Sequence, residues 1–396
     1  MLIRGTSFDD KQIDLRVEDD HIVAITDSAS APIEPEPGEE VWDGGMITPP
    51  FAEPHVHLDA ALLGTRRPNL TGTLREGIAN WAVLRENLTR EDVLERARET
   101  LGWYARQGTL RVRTHVDTGS MVAVEALLEL RESLAGGPME LQVVAFPQEG
   151  ILRTSERRAN WEEAVALGCD AVGAIPHFER TTEEGWESVK LAFDLAERHD
   201  RMVDLHCDET DDPGSRNLEV VCAQALDRGL TRPGQVVAGH CTAMHSYPNP
   251  HAAKVIELVA ESRVVVVTNP LDNAVLQGRY DDYPRRRGHT RVDQLWAANA
   301  LVAIGHDSVV DPWYRLGTAN MLDPAWLLVH FAHLTGEEQI QRIFQTLHHE
   351  NHLPFGGAAP LHTGAPARFL WFEHADPIEV IRHREPPRVV APILDL

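Results

Sequence analysis

With 396 residues, the chain is too long for one small domain and fits a barrel with a small companion unit. Its 43% hydrophobic and 25% charged residues are ordinary globular values and exclude a disordered chain. The balance of 37 Lys and Arg against 61 Asp and Glu gives a formal charge of −24, which repels phosphate backbones and anionic lipid, so neither nucleic acid nor membrane is an expected partner. The densest basic run, Arg285-Arg286-Arg287, reads as a solvated loop or a local ion-pair site. No window approaches 18 uninterrupted apolar residues, so no membrane span is expected. The acidic N-terminus lacks the apolar run of a signal peptide. The four cysteines, Cys169, Cys207, Cys222 and Cys241, form no C-x-x-C pair, and a reducing cytoplasm is the expected compartment.

Residues 1–3, 11–17 and 21–26 read as short strands separated by acidic and polar turns. Residues 31–38 (APIEPEPG) are a loop, because three prolines in eight residues do not pair in a sheet interior. Apolar, β-branched runs then recur at 46–50, 110–115, 141–146, 171–175, 202–206, 235–240, 263–268 and 301–306, each followed by a helical pattern. Continuous apolar strands alternating with helices imply a parallel sheet covered on both faces, and eight such units close into an α/β fold of the (β/α)8 barrel type. Caps mark the helices. Thr89 precedes 90–105 with Asp92 at the capping-box position, Thr182 and Glu183 open a helix to about His199, and Ser215 precedes 216–228 with Gly229 as a stop. Residues 368–372 and 388–393 again read as strands, so both chain ends are expected to build one small β unit. The expected division is 1–48 and 355–396 for that unit and 49–354 for the barrel. No G-x-G-x-x-G, P-loop or G-x-S-x-G occurs, which counts against an open doubly wound sheet.

Active sites of such barrels lie at the C-terminal strand ends. There the first run is followed by Glu53-Pro54-His55-Val56-His57-Leu58-Asp59, and the fifth ends at His206 before Cys207-Asp208-Glu209. The sixth ends at His240 and the eighth in Gly305-His306-Asp307-Ser308. His55 and His57, two positions apart on a strand, point the same way and can grip one ion. His206 adds a third nitrogen and Asp307 a carboxylate oxygen, a set that suits catalytic Zn²⁺ or Fe²⁺. Among 20 histidines some pairs arise by chance. His348, His349 and His352 resemble H-E-x-x-H with the wrong spacing and read as a structural helix end. The four strand-end ligands differ because they agree with an independent topological argument. Cys207 and Cys241 each follow a key histidine, but neighbouring strand side chains face opposite ways, so both are expected to be buried and apolar in character. Binuclear metal barrels often bridge their ions with a carbamylated lysine at the end of strand four. Here that end reads Ile175-Pro176-His177-Phe178-Glu179, so one divalent ion per subunit is expected and His177 reads as a pocket or structural residue.

The phrases EPHVHLD (53–59), RTHVD (113–117), VVAFPQEGIL (143–152), VGAIPHFE (172–179), HCDE (206–209), TAMHSY (242–247) and DPWYRLGTANML (311–322) resemble the bacterial cytosine deaminase family of the amidohydrolase superfamily. The resemblance spans nearly the whole barrel and is weaker in the terminal strands, for which it implies a small β-sandwich. It implies that His55, His57, His206 and Asp307 are the metal ligands. It implies that Glu209 shuttles protons, that His240 and Asp307 help activate the attacking water, and that Gln148 reads the amide edge of a pyrimidine. It further implies Trp313 as an aromatic pocket wall, Leu74 as a backbone contact and a homo-oligomeric assembly. The expected reaction is hydrolytic deamination of a free aminopyrimidine nucleobase. Another amino-heterocycle such as isoguanine or creatinine, a cyclic-amide hydrolase, and a non-catalytic metal protein are the alternatives. One position departs from the family: its cytosine enzymes usually carry a second Asp after the metal-binding Asp, and here Ser308 stands there. The change removes a carboxylate from the C5 side of the ring and points to 5-methylcytosine as well as cytosine.

Overall fold

The computed structural model describes residues 1–9 and 11–391. Five strands lead the chain: β1 (Leu2–Phe8), β2 (Lys11–Glu18), β3 (His21–Asp27), β4 (Val41–Asp43) and β5 (Met46–Thr48). Eight follow with helices between them: β6 (Phe51–Val56), β7 (Thr109–Asp117), β8 (Glu140–Phe146), β9 (Ala171–Val172), β10 (Met202–Cys207), β11 (Val236–His240), β12 (Val265–Thr268) and β13 (Leu301–Ile304). Two more, β14 (Phe369–Phe372) and β15 (Arg388–Val390), come last.

The strands from β6 to β13 form one parallel sheet in chain order. The sheet closes on itself where Val56 bridges Asp307, through Asp307 N–H to the His55 carbonyl (2.9 Å) and His57 N–H to the Asp307 carbonyl (3.3 Å). Closure leaves a barrel whose strands are buried on both faces, as their Val-rich sequences require. The two chain ends meet in a mixed sheet of order β15-β14-β5-β1-β2-β3, with β4 also on β1. Its core gathers Ile3, Leu15, Ile22, Ile47, Phe369 and Trp371.

Two expectations need correction. The run 46–50 is not the first barrel strand. Met46–Thr48 pairs with β14 in the terminal sheet, and the barrel begins at Phe51, after Pro49-Pro50 break the pairing. The barrel strand was hidden because Pro54 lies inside it. Ser215 does not cap the sixth helix, which runs Asn217–Asp227 with Arg216 at its start. The cap comes instead from Asp208, whose carboxylate accepts from Asn217 N–H (3.1 Å), Leu218 N–H (2.9 Å) and the Ser215 hydroxyl (2.6 Å). Thr89 and Thr181 cap their helices, Arg90–Arg106 and Thr182–His199. The short strand β4 was not anticipated. In the expected strand 388–393, residues 392 and 393 lie outside the described residues.

Arg286 pairs locally with Asp281, as a loop ion pair. All four cysteines are free and buried. Among the described residues, no helix is long and apolar enough to cross a membrane.

Candidate active site

The ends of β6, β10 and the segment after β13 bring His55, His57, His206 and Asp307 to one point. The Nε2 of His206 lies 3.2 Å from that of His55 and 3.1 Å from that of His57. The Asp307 carboxylate stands 3.7 and 3.6 Å from the same two nitrogens. Burial drives the imidazoles toward the neutral form, His57 to about 3 and the other two well below the usual range. His57 donates from Nδ1 to the His115 carbonyl (3.1 Å), which leaves its Nε2 lone pair facing the cluster. Three neutral nitrogens converging on one point cannot all pair with one another, but their lone pairs suit an ion with bonds of about 2.0–2.2 Å. The cluster could therefore hold a divalent metal. His240 with Asp307, and His115 with Asp204, form further ligand-like groups that both include His55. Asp204 is already taken by Arg113 (2.8 Å) and His115 (3.2 Å). Close packing brings the rings together: a Cβ on Gly239 would lie 2.8 Å from His55 Cε1. Glu53 joins the first strand to the segment after the last, accepting from the N–H groups of His55 (2.8 Å) and His306 (3.0 Å) and from the Tyr104 hydroxyl (3.0 Å).

Beside this cluster stand Glu209 and His240, with the His240 Nδ1 3.6 Å from Glu209 Oε1 and 3.9 Å from Asp307 Oδ2. Burial pushes the Glu209 carboxyl up to about 8 and holds His240 neutral. Asn273 donates to His240 Nδ1 at 3.1 Å and Asn269 approaches at 3.3 Å, fixing the ring. Asp208, His240 and Asp307 all have positive φ (52°, 68° and 70°), a backbone region that costs a non-glycine residue about 1–3 kcal/mol and collects at functional sites.

A small cavity opens on these groups, lined by His57, His206, Glu209, His240, Asp307, Gln148, Ser308, Trp313, Leu74, Asp272 and Leu276. All ten residues singled out in the sequence except His55 touch it, and His55 lies directly behind. Trp313 packs on the helix Leu74–Arg85, where Gly77 makes room: a Cβ there would lie 2.6 Å from the indole. That helix is pinned to the barrel by Trp81 (2.8 Å) and Arg85 (2.6 Å) on the Asp117 carboxylate. His177 lies away from the cavity, in a crevice with Arg180 and Asn217. His352 bonds the Pro50 carbonyl at a helix end. Sequence reasoning assigned nothing to strand seven. Its C-terminal turn, Asn269-Pro270-Leu271-Asp272-Asn273, supplies Asp272 to the wall and two asparagines to His240. The signal was present, as three polar side chains directly after an apolar run. The Ser308 hydroxyl donates to Asp272 Oδ1 at 2.9 Å, so this wall carries a carboxyl group after all.

Residues 61–375 match the sequence profile of the amidohydrolase family. The chain belongs to the amidohydrolase family. A 5-methylcytosine deaminase from Klebsiella pneumoniae, solved with 5-fluorocytosine, superimposes with a TM-score of 0.91 at 36% identity, covering 99% of this chain and 96% of that one. An N-isopropylammelide isopropylaminohydrolase from Burkholderia multivorans has a TM-score of 0.81 at 25% identity, covering 98% of this chain and 96% of that one. A pterin deaminase from Rhizobium rhizogenes is 29% identical over 327 residues, 81% of this chain and 73% of the relative. The chain is an enzyme of that hydrolase family.

Proposed function

We propose that this amidohydrolase deaminates a free aminopyrimidine base, 5-methylcytosine and cytosine, to thymine and uracil with release of ammonia. The observation that carries the reading is the composition of one small cavity. Gln148, Glu209, His240, Asp307 and Trp313 line it beside three convergent imidazoles. The cavity is small and closely lined, which favours a single ring over a nucleotide. The similarity to a 5-methylcytosine deaminase over the whole chain supports the same substrate class.

His55, His57, His206 and Asp307 would hold one divalent ion, zinc or iron(II). When bound, the ion makes water a nucleophile at neutral pH. The chain's own groups supply the remainder. Gln148 offers both a donor and an acceptor to the C=O and N–H edge of the base. Glu209, protonated at pH 7 by burial, donates to the ring nitrogen and so makes the amine-bearing carbon electrophilic. His240 and Asp307 receive the proton of the attacking water. Glu209, now ionised, takes the second proton of the former water and passes it to the departing amine, which leaves as ammonia, and the proton held by His240 and Asp307 restores Glu209. Trp313, with its ring centroid 5.9 Å from that of His57, gives the flat base an aromatic wall.

Ammonia release from cytosine, 5-methylcytosine, isoguanine and creatinine tests the reading. Turnover of 5-methylcytosine with a kcat/KM at least comparable to that of cytosine is expected. Ammonia only from larger rings would favour a pterin-like substrate, as in the Rhizobium relative.

A further inference from the structure

Asp272 follows β12 in the first turn of the short helix Pro270–Leu276 and is 1% exposed. Its two carboxyl oxygens have different surroundings. Oδ1 accepts the Ser308 hydroxyl at 2.9 Å. Oδ2 is buried and has no hydrogen-bond partner among the described residues. The side chain lines the same cavity as Gln148, Glu209 and Asp307. A buried acceptor without a partner is costly unless a ligand satisfies it.

The deaminase reading above, on which this inference rests, already commits two parts of the base. Gln148 takes the C=O and N–H edge, and Glu209 takes the ring nitrogen. The donor that remains is the exocyclic amine. We propose that Asp272 is a substrate-binding residue whose Oδ2 accepts an N–H of that amine, so that the site prefers an amine to a carbonyl at the reacting carbon. Ser308 serves the same end by occupying Oδ1 and fixing the carboxyl plane. Once the amine has been replaced by oxygen, Oδ2 faces a carbonyl, acceptor against acceptor. The residue that holds the substrate therefore weakens the hold on the product.

The test compares Asp272→Asn and Ser308→Ala with the unmodified, metal-loaded enzyme. It reads kcat/KM for cytosine and the inhibition constant of uracil. The amide keeps the shape and can still accept from Ser308, but it turns an N–H donor toward the substrate. Asp272→Asn should lower kcat/KM by roughly 10- to 100-fold, the loss expected when a buried acceptor facing the substrate amine is replaced by a donor. It should at the same time tighten uracil binding by about tenfold. Ser308→Ala leaves Oδ2 in place and should give a smaller loss with no tightening of uracil. A role confined to holding Ser308 would leave Asp272→Asn close to the parent, because its amide oxygen still accepts that hydroxyl. Metal content and thermal unfolding check that each variant is intact. Should the amide disturb the short helix, Asp272→Ala gives the same reading, with cytosine turnover lost and uracil no longer disfavoured. Uracil binding that stays constant or weakens along with cytosine turnover overturns the proposal, as does a Ser308→Ala variant that reproduces both effects. If the unmodified enzyme releases no ammonia from any aminopyrimidine, the deaminase reading fails, and this one with it. Normal turnover without separation in the variants removes the Asp272 assignment alone.

Discussion

A group that gives and takes a proton in one cycle works best with a pKa near the working pH, and burial alone pushes Glu209 up to about 8. The sign is that of a carboxyl held neutral: Glu209 is protonated at pH 7 and loses the ability to donate as the pH rises through that value. A nearby divalent cation favours the ionised form, so the alkaline limb of the rate profile should lie at or below about pH 8. Glu209→Gln should keep the metal and lose turnover by well over tenfold, a span of about 1.4 kcal/mol, and should also lose that limb. A variant within tenfold of the parent would remove Glu209 from the shuttle role. Ser308 sets a second test. Burying a methyl is worth on the order of 0.8 kcal/mol, and one methylene typically discriminates by roughly 1–3 kcal/mol. Ser308→Asp should therefore depress kcat/KM for 5-methylcytosine far more than for cytosine. The added carboxylate would also face Asp272, so the ratio of the two substrates is read again in the double variant with Asp272→Asn, where that repulsion is gone. An equal effect on both substrates in both backgrounds would show that position 308 does not read the methyl group.

At the scale of the element, side chains distant in sequence hold several of the strand ends. Asp208 illustrates this: it caps the helix Asn217–Asp227 while its neighbour Glu209 faces the cavity, so one carboxylate fixes both the helix start and the turn that aims the acid. Asp208→Ala should lower stability by about 1–3 kcal/mol and also lower kcat, because it frees buried donors and releases the turn. Thermal melts and kinetics should move together, and a kcat loss without a stability loss would contradict the shared role. Elements of this kind explain what the sequence could and could not tell. The cap at Thr89 and the helix start at Thr182 are local and were readable, although the cap of the second helix, Thr181, was not named; in both, donor and acceptor lie three residues apart. The Asp208 cap was not readable, because it reaches nine and ten residues along the chain. His55, His57, His206 and Asp307 were readable because strand periodicity and barrel topology both single out the same positions. Glu53 was not, because its partner His306 lies 253 residues away. The first barrel strand was misplaced because Pro54 interrupts it, while the neighbouring run Met46–Thr48 has the better strand composition but pairs in the other sheet. Asp272 was passed over because strand seven ends in no histidine, the residue type that drew attention to the other ends.

At the scale of the whole molecule, the candidate metal cluster coincides with the seam of the barrel. The last ladder contacts between the first and last strands are those of Val56 with Asp307, and His55, His57 and Asp307, three of the four candidate ligands, flank that bridge. His206 reaches the cluster from strand five, on the far side of the barrel. An ion bound there would tie together strands one, five and eight in addition to its chemical role, and Glu53 would reinforce the same seam from below. Such an ion binds the folded barrel far better than an unfolded chain, so it stabilises the fold by mass action, by about 2.7 kcal/mol when present at 100 times its dissociation constant. Removal of the metal by a chelator should abolish turnover and lower the melting temperature by about 3 °C. Both should return on adding zinc or iron(II). His55→Ala and Asp307→Ala should show the lower melting temperature even when metal is supplied, with reduced metal content and no turnover. Full activity in metal-free protein would refute the site. Activity that vanishes on chelation while the melting temperature stays constant would leave the ion its chemistry and place the stability of the seam in Glu53 and the backbone bonds alone.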